Sequence, residues 1–332
     1  MIVSKTPLRL SFFGGGTDIP SFYRDHDFGA VVSASLDSYL YVSVKTHTPV
    51  FDERIRLNYY ETELVDDISQ IKNTIIREAL NLLGIDERIF IGTISDGPPE
   101  AGLGSSSSFA VGLLNALYYF KGIRVSQGRL AEEAAHIEID LLKKPIGKQD
   151  QYAAAYGGFN YFQFNSDDSV SMEPINMSSN DFKLMFDSIV PFWTKISRSA
   201  DLILEEQETN NKEEVKNLKN LIKMRQQAVD FNSYIKHEGF NLEKFGKLVH
   251  EGWLMKKSLA SKISNKGIDS FYEAALREGA IGGKISGAGG GGFLNIIAEL
   301  KYHKKIINTL TKFGLIHFNC GLDSDGTRVF KL

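Results

Sequence analysis

Two glycines and four consecutive serines stand together in the first half of the chain, directly before an apolar pattern with helical spacing. The segment covers residues 98–108 (PPEAGLGSSSS), and the helical pattern begins at Phe109. A helix that begins after such a turn presents free backbone N–H groups and the positive end of its dipole. Glycines let the backbone approach an anion closely, and serine hydroxyls add hydrogen bonds or coordinate a metal. The segment therefore predicts a phosphate or polyphosphate site, while a Ser-capped helix after a loop is the simpler alternative.

Three further segments place glycine next to polar or charged residues. They are residues 6–18 (TPLRLSFFGGGTD), 147–151 (GKQDQ) and 283–292 (GKISGAGGGG). Together with the Gly/Ser segment, and in this order, they resemble the motifs of the GHMP kinases, the family of galactokinase, homoserine kinase, mevalonate kinase and phosphomevalonate kinase. Residues 6–18 and 147–151 look most like those members that phosphorylate the anomeric oxygen of a bacterial heptose phosphate. The resemblance spans nearly the whole chain.

Residues 287–292 also satisfy the G-x-G-x-x-G pattern of dinucleotide-binding folds. That pattern follows the first strand of its fold and opens a helix. Here it comes late in the chain and precedes the run Phe293-Leu294-Asn295-Ile296-Ile297, which predicts a strand. A dinucleotide site is therefore rejected. Because the chain also lacks a G-x-x-x-x-G-K-[ST] motif, residues 98–108 are the strongest candidate for the nucleotide loop.

The resemblance implies an α+β fold with the two-domain GHMP kinase architecture. An N-terminal α/β domain of the ribosomal S5 domain 2-like type would precede a ferredoxin-like C-terminal domain, with the active site between them. The mixture of helical, strand and hairpin patterns itself indicates α+β layers. A stretch rich in Ser, Asp and Asn over residues 165–181 predicts a boundary between domains 1–165 and 166–332. Pro191 cannot donate a ladder hydrogen bond, which argues against a central strand around it.

The resemblance also assigns roles in nucleotide and metal binding. Glu138 lies in a predicted helix over residues 126–142, near the spacing of the family's metal-binding glutamate, and Ser106 is implied to approach the same Mg²⁺ ion. A solvated carboxylate is the alternative for Glu138, and Asp140 is a competitor that points to another helix face. The implied ATP-binding residues are Pro98, Gly102, Leu103, Gly104, Ser105, Ser106, Ser107 and Ser108.

Asp150 matches the family's catalytic aspartate. An anomeric hydroxyl is more acidic than an ordinary alcohol, so a nearby carboxylate can take its proton or orient its oxygen for in-line attack. Arg9 matches the basic residue of the first family motif, where a guanidinium stabilises charge on the transferring phosphoryl group. The alternatives are a helix N-cap for Asp150 and an edge-strand position for Arg9.

The acceptor pocket is predicted to differ from that of galactokinases. Their G-E-H-T-D motif is replaced here by GGGTD, whose missing side chains leave room for a larger or branched sugar. A phosphorylated acceptor also needs a basic subsite, for which Arg198 is the first candidate, followed by Lys148 and Lys257. The predicted substrate-binding residues are Gly14, Gly15, Gly16, Thr17, Asp18, Lys148, Arg198, Gly287, Gly289 and Gly290.

Composition narrows the range of partners. The 332 residues carry a net charge of −3, which gives no overall basic footprint for nucleic acid. No apolar run approaches the roughly 18 residues of a membrane helix, and the first residues predict no secretory signal. A lone Cys320 excludes an internal disulfide and favours a cytoplasmic protein. The expected partners are ATP and a small-molecule sugar phosphate, and a homodimer stays open.

The resemblance therefore implies an ATP- and Mg²⁺-dependent sugar 1-kinase. Its expected reaction is phosphorylation of the anomeric hydroxyl of D-glycero-D-manno-heptose 7-phosphate, giving the 1,7-bisphosphate for GDP-heptose and surface polysaccharide biosynthesis. One alternative is a fucokinase-like sugar 1-kinase, and another is a non-catalytic sugar or nucleotide sensor on the same scaffold. The joint presence of Arg9, Glu138 and Asp150 argues against a sensor, because binding alone needs none of the three.

Overall fold

The structure, a computed structural model, describes residues 1–196, 200–213 and 215–332. The strands are β1 (Ile2–Phe13), β2 (Phe28–Thr46), β3 (Ile55–Asn58), β4 (Thr62–Val65), β5 (Ile89–Ser95), β6 (Phe159–Asn165), β7 (Val170–Pro174), β8 (Ile189–Trp193), β9 (Gly282–Ile285), β10 (Phe293–Ile297), β11 (Ile316–His317) and β12 (Arg328–Lys331).

The helices are α1 (Pro20–Tyr23), α2 (Thr74–Leu83), α3 (Ser105–Phe120), α4 (Gln127–Ala135), α5 (Gln149–Tyr156), α6 (Ser179–Asp187), α7 (Ala200–Glu213), α8 (Val215–Glu238), α9 (Leu242–Lys257), α10 (Lys266–Arg277) and α11 (Leu300–Lys312). A 3₁₀ turn covers Ile68–Gln70, and a π-helical segment (His136–Leu141) continues α4. None of these helices has the length and apolar content needed to span a membrane.

Local sequence signals explain where several helices begin and end. Ser126 caps α4 by accepting a hydrogen bond from the backbone N–H of Arg129, and serine is a favoured residue at this position. Asn73 caps α2 in the same way, and that helix ends at Gly84, whose φ of 58° is left-handed. The start of α3 follows Gly104, which is also left-handed with φ 74°. The segment predicted to be the nucleotide loop therefore leads into a helix N-terminus.

The larger sheet has eight strands and is built around the long strand β2. Its main path runs β12-β1-β2-β5-β3-β4, while β6 pairs with β2 and β7 pairs with β6. The first half of β2 pairs with β6 and its second half with β5. Strands β7 and β12 both follow residue 166, yet they pair within this sheet. The division into domains 1–165 and 166–332 stays a prediction.

The smaller sheet has four antiparallel strands in the order β11-β8-β10-β9. In chain order a strand is followed by helices, then two strands, a helix and a last strand, which is ferredoxin-like connectivity. The predicted α+β fold class with a ferredoxin-like C-terminal part is confirmed.

The expectation that Pro191 argues against a central strand is wrong, since Pro191 lies in β8 between β10 and β11. Its carbonyl accepts a hydrogen bond from the backbone N–H of Phe318 at 3.0 Å, just past the two residues of β11. In an antiparallel ladder the N and O of one residue face the same neighbour. The missing N–H of Pro191 therefore faces the end of β11 and leaves the pairing with β10 intact.

An aromatic cluster next to residues 14–18 joins the larger sheet to helices α8 and α9. Phe12 and Phe13 at the end of β1 pack against Phe231 of α8 and Phe245 of α9, with ring centroids 4.7 Å apart for Phe13–Phe231 and 5.4 Å for Phe12–Phe245. All four rings are buried. Large buried aromatic surfaces contribute strongly to stability, so this contact fixes the loop after β1 relative to the C-terminal helices.

We predict that Gly14→Ala is far more destabilising than Gly84→Ala. Both glycines have positive φ, but a Cβ at Gly14 would lie 1.7 Å from the carbonyl oxygen of Ala30, whereas a Cβ at Gly84 meets nothing within 4 Å. The Gly84 variant should lose about 1 kcal/mol of unfolding free energy through backbone strain alone. The Gly14 variant should lose about 3 kcal/mol or more, because the backbone must also move. Urea unfolding followed by circular dichroism measures both, and equal losses would contradict the packing of this loop.

Candidate active site

A cavity of about 300 Å³ lies where the two parts of the chain meet, and we call it the central cavity. Its lining comes from β1, the loop after β1, the Gly/Ser segment, the π-helical segment and the start of α5. Helices α7 and α9, strand β9 and the loop after β9 close its other side. The charged lining residues are Arg9, Asp18, Glu100, Glu138, Lys144, Asp150, Lys256 and Lys284.

Two glycine loops, one from each part of the chain, touch at the edge of the central cavity. A Cβ at Gly102 would lie 2.5 Å from the carbonyl oxygen of Ser286, and a Cβ at Gly287 would lie 2.9 Å from the Cα of Gly102. Only a chain without side chains at these two points allows this approach. The contact brings the loop after β9 next to the start of α3.

Some of the predicted nucleotide-binding residues line the central cavity, and the others lie outside its lining. Gly102, Gly104, Ser105, Ser106 and Ser107 line the central cavity. Pro98, Leu103 and Ser108 do not: Leu103 is buried and its carbonyl accepts from the Arg9 backbone N–H, while the buried Ser108 hydroxyl donates to the carbonyl of Pro7. We propose no ligand contact for these three.

Arg9 holds Asp150 by two parallel hydrogen bonds. Nε donates to Oδ1 at 2.6 Å and an Nη donates to Oδ2 at 2.5 Å, and the other Nη donates to the carbonyl of Gly102. The arginine is 4% exposed and the aspartate 21%. Asp150 lies in the first turn of α5, and the N-cap position belongs to Lys148, so the N-cap alternative for Asp150 is wrong. The bidentate pair fixes the carboxylate at the cavity surface.

Glu138 is fully buried and accepts four hydrogen bonds, so the solvated alternative is wrong for this side chain. The donors are the hydroxyls of Ser106 (2.6 Å) and Ser107 (2.7 Å), the amide of Gln151 (2.7 Å) and the ammonium of Lys144 (3.0 Å). Its competitor Asp140 is exposed and pairs with His136 instead. The structure therefore brings both predicted metal ligands, Ser106 and Glu138, together.

The residues around Glu138 fit a hard divalent cation. Hydroxyl and carboxylate oxygens are the ligands that such cations take, and Mg²⁺ is commonly held by one or two carboxylates plus phosphates and water. The Lys144 ammonium lies 2.9 Å from Ser106 Oγ and 3.0 Å from Glu138 Oε1, where both predicted ligands converge on one positive charge. Within the described ranges, no group of three or more His, Cys, Asp or Glu side chains is arranged to hold a metal ion. A cation at Glu138 would therefore need the Ser106 hydroxyl, phosphate oxygens or water as further ligands.

Asp18 is buried beside Asp150 and is held by the GKQDQ segment. Its carboxylate accepts hydrogen bonds from the backbone N–H groups of Gly16 (2.9 Å) and Gln149 (3.1 Å) and from the Gln149 side-chain amide (3.0 Å). Burial, the largest influence, raises the pKa of Asp18. A Cβ at Gly147 would lie 1.9 Å from Asp18 Oδ2, so that glycine lets the two segments meet.

The other predicted substrate residues lie in different places. Gly15, Gly16 and Gly287 line the central cavity with Asp18. Thr17 is buried, and its hydroxyl donates to the carbonyls of Gly14 and Ala30, so it holds the loop in place. Gly14, Thr17, Gly289 and Gly290 lie outside the lining, and we propose no ligand contact for them.

Two of the three predicted phosphate ligands, Lys148 and Lys257, lie outside the central cavity. Lys148 approaches Asp168 at 3.4 Å, and Lys257 pairs with Asp269 at 3.1 Å. Neither lysine belongs to the cavity lining. Arg198 lies outside the residues that the structure describes, so its role stays a prediction.

Sequence reasoning missed Lys144, Lys256 and Lys284, which all line the central cavity. Burial lowers the pKa of Lys256 to about 8 and that of Lys284 to about 7. One signal for Lys256 was present: with Val249 and Trp253 it stands at i, i+4 and i+7 of α9, on the buried face of that helix. Lys284 lies within the GKISGAGGGG segment, whose glycines carry the family resemblance and do not indicate which way the lysine points.

The fold and the site define a kinase of the GHMP type. The GHMP kinase N-terminal domain matches residues 70–158, and the GHMP kinase C-terminal domain matches residues 233–314. The chain belongs to the GHMP kinase family. GHMP kinases use ATP with a divalent metal ion, which agrees with a Gly/Ser loop next to Ser106 and Glu138.

Among members of the family, the chain is similar to several sugar kinases. The chain is 28% identical to the D-glycero-alpha-D-manno-heptose 7-phosphate kinase of Campylobacter jejuni, over 94% of this chain and 93% of the other. It is 26% identical to an L-fucokinase/L-fucose-1-P guanylyltransferase of Bacteroides fragilis, over 90% of this chain but 35% of the other. A crystal structure described as a D-glycero-D-manno-heptose 1-phosphate kinase of Bacteroides thetaiotaomicron superposes with a TM-score of 0.80 at 25% identity, covering 100% and 99% of the chains. Together these similarities support an ATP-dependent sugar kinase.

We predict that Lys256→Met stabilises the protein in the absence of ligand. The folded chain holds this ammonium with a pKa of about 8 instead of 10.5, so at pH 7 the buried charge opposes folding. Removing it should raise the unfolding free energy by about 1–2 kcal/mol at pH 7, after allowance for the lost hydrogen bond to Gln207.

The sign of this effect can be tested with pH. As pH rises from about 8 towards 10.5, the folded wild-type chain releases the proton before the unfolded chain does, and the advantage of the variant should shrink. Urea unfolding midpoints of the wild type and the variant at pH 7 and pH 9.5 measure this difference in stability. Lys257→Met, one residue along and paired with Asp269, is the matched control and should show no gain. A loss of stability in Lys256→Met at pH 7 would contradict the burial of an uncompensated cation.

Proposed function

We propose that this protein transfers the γ-phosphoryl group of ATP to the anomeric hydroxyl of D-glycero-D-manno-heptose 7-phosphate, giving the 1,7-bisphosphate. One observation carries the proposal: Asp150 of α5, fixed by Arg9, lies beside the start of α3 and lines the same cavity as Asp18. A Cβ at Gly104 would lie 3.2 Å from Asp150 Oδ2. This position supports a role for the carboxylate between the proposed nucleotide loop and the proposed acceptor pocket.

The identity of the acceptor is supported by the relatives. The Campylobacter and Bacteroides thetaiotaomicron proteins are both described as heptose phosphate kinases, and both match nearly the full chain. Their descriptions differ in the phosphate position, 7-phosphate in one and 1-phosphate in the other. A kinase that phosphorylates position 1 of a 7-phosphate gives a product with a phosphate at both positions. Analysis of the product therefore shows which position receives the phosphate.

On the nucleotide side, the proposed ATP contacts are the backbone and hydroxyls of Ser105, Ser106 and Ser107 at the start of α3. The positive end of that helix faces the central cavity and favours a polyphosphate. Ser106 and Glu138 would hold the divalent ion, which we propose to be Mg²⁺. When bound, such an ion neutralises negative charge on the phosphates. Lys144 supplies a further positive charge at the same place.

On the acceptor side, the proposed chemistry uses Asp150, Arg9 and Asp18. Asp150 accepts a hydrogen bond from the anomeric hydroxyl and receives its proton as the new oxygen–phosphorus bond forms. The bond from the γ-phosphorus to the bridging oxygen breaks, and ADP leaves with that oxygen. Arg9 holds the carboxylate in line and stabilises charge on the transferring group. Asp18 accepts hydrogen bonds from other sugar hydroxyls, next to the space left open by Gly15 and Gly16.

A fucokinase-like activity is the second candidate, because the fucokinase relative matches 90% of this chain. Its sugar carries no phosphate, so the two candidates differ in whether the acceptor brings a second negative charge. A non-catalytic sensor is disfavoured, since Arg9, Asp150 and Glu138 all line one cavity and are held by dedicated hydrogen bonds.

Asp150→Asn should lower kcat by about 100-fold or more, as expected when a positioned proton acceptor is lost. ATP affinity should change little, because Asp150 faces the acceptor in the proposed arrangement. Steady-state kinetics and calorimetric ATP binding measure the two effects. Asp86→Asn, which alters an exposed ion pair with Arg54, is the control and should retain wild-type turnover. A kcat within a few-fold of wild type in Asp150→Asn would leave Asp150 with a structural role only.

The acceptor should carry its own phosphate. A coupled ADP-release assay with heptose 7-phosphate, free heptose, mannose, fucose and galactose should give the highest kcat/KM for the phosphorylated sugar, because binding energy from a remote phosphate can be used in the transition state. Phosphorus NMR of the product should show a phosphate on the anomeric carbon. Equal kcat/KM for heptose 7-phosphate and free heptose would reject this acceptor, and a preference for fucose would favour the second candidate.

A further inference from the structure

Two lysines of the central cavity have no counter-charge in contact with them among the side chains that the structure describes. Lys256 ends the buried face of α9 and is 6% exposed, and Lys284 lies in β9 and is partly exposed. Within that described set of side chains, no carboxylate oxygen forms an ion pair with either ammonium. Lys256 donates to the side-chain oxygen of Gln207 at 2.8 Å, and Lys284 donates to the carbonyl of Phe12 at 3.2 Å.

The other two cationic side chains of the cavity each have a carboxylate partner. Arg9 is paired with Asp150, and Lys144 is paired with Glu138. Lys256 and Lys284 therefore leave excess positive charge on one side of the same cavity. A desolvated cation without an anionic partner opposes folding, and groups of this kind concentrate at functional sites. Such a pair is suited to an anion that arrives from solution.

A third donor points to the same place. The amide nitrogen of Gln207 is buried and has no hydrogen-bond partner among the described residues, while its oxygen accepts from Lys256. Since an ammonium can only donate, this assignment of the amide is fixed by chemistry. A Cβ at Gly16 would lie 3.0 Å from that nitrogen and 3.7 Å from Lys256 Nζ. The absent side chain of Gly16 therefore leaves space where the two donors converge.

The position of these donors separates them from the nucleotide loop. Gly16 belongs to the loop that carries Asp18, whereas the start of α3 adjoins Arg9 and Asp150. An anion at Lys256 is thus next to the acceptor loop, and the Arg9–Asp150 pair adjoins the nucleotide loop. Asp18 is close enough for its charge to favour the protonated form of Lys256, but the two form no ion pair, and the Asp18 oxygens accept from Gly16 and Gln149.

We propose that Lys256, together with Gln207 and Lys284, binds the phosphate group that the acceptor sugar carries into the cavity. This inference rests on the proposed function and replaces Lys148 and Lys257 as candidate phosphate ligands. It assigns to the C-terminal part of the chain the selection of a phosphorylated over an unphosphorylated sugar.

The kinetic test compares the wild type with Lys256→Met, Lys284→Met and the control Lys257→Met, each with heptose 7-phosphate and with free heptose. Loss of a charge-assisted contact should lower kcat/KM for the phosphorylated sugar about 30- to 100-fold in Lys256→Met. The value for free heptose should change less than threefold, and the KM for ATP should stay within twofold. Lys284→Met should show the same selective loss, and Lys257→Met should match the wild type on both sugars.

Three outcomes are distinguishable. If the wild type prefers heptose 7-phosphate and Lys256→Met keeps that preference, the subsite is wrong and the proposed function stands. If Lys256→Met loses both sugars equally, Lys256 acts on the transferring group, and the subsite is also wrong. If the wild type shows no preference for the phosphorylated sugar, the proposed function fails.

A binding measurement tests the subsite independently of turnover. Calorimetric titration of the ATP-free protein with mannose 6-phosphate, a sugar phosphate of the same general shape, should give binding that Lys256→Met weakens at least tenfold and Lys257→Met leaves unchanged. Equal affinity in the wild type and Lys256→Met, or no binding to either, would overturn the assignment. A thermal melt of each variant confirms that it is folded, which Lys256→Met is expected to be because it removes a desolvated charge.

Discussion

The candidate active site depends on one guanidinium. Arg9 projects from β1, and its side chain binds Asp150 of α5 and the carbonyl of Gly102, while its backbone N–H donates to the carbonyl of Leu103. A strand of the larger sheet, the nucleotide loop and the helix that carries the proposed base are therefore held by a single, nearly buried residue. Because the guanidinium fork is planar and bidentate, it fixes both the distance and the orientation of the carboxylate. Lysine at this position would supply charge but not this geometry.

The two parts of the chain contribute different chemistry to the cavity. The N-terminal part provides paired groups: Arg9 with Asp150, and Lys144 with Glu138 and Ser106. In the proposed arrangement, the C-terminal part provides the unpaired lysines that receive the acceptor. The contact between the backbones of Gly102 and Gly287 keeps the two parts close enough to share one substrate complex. Aromatic packing at the end of β1 holds residues 14–18, the proposed acceptor loop, against α8 and α9.

Much of the fold and part of the site could be predicted from the sequence, because glycine and serine have local consequences. A Gly/Ser run before an apolar helix, a cap at Ser126 and a stop at Gly84 all act within a few residues. Local sequence patterns do not show which lysines line the central cavity. Lys256 and Lys257 are neighbours of the same type, yet one is buried in the cavity and the other pairs with Asp269. Their difference arises from the packing of α9 against distant segments, which no local pattern records. The tolerance of Pro191 likewise depends on where a distant partner strand ends.

The pairing of β12 with β1 has a consequence for how the protein is made. Residues 328–331 form an edge strand beside residues 2–5, and Thr327 is hydrogen-bonded to Thr6 and Asn115. On the ribosome, the first strand of the larger sheet emerges more than three hundred residues before the strand that covers its open edge. During that interval an unpaired edge is available to other chains, and such edges promote misassembly. The larger sheet reaches its final form only after the ferredoxin-like part has been synthesised, so its maturation depends on residues that are translated long after its first strands.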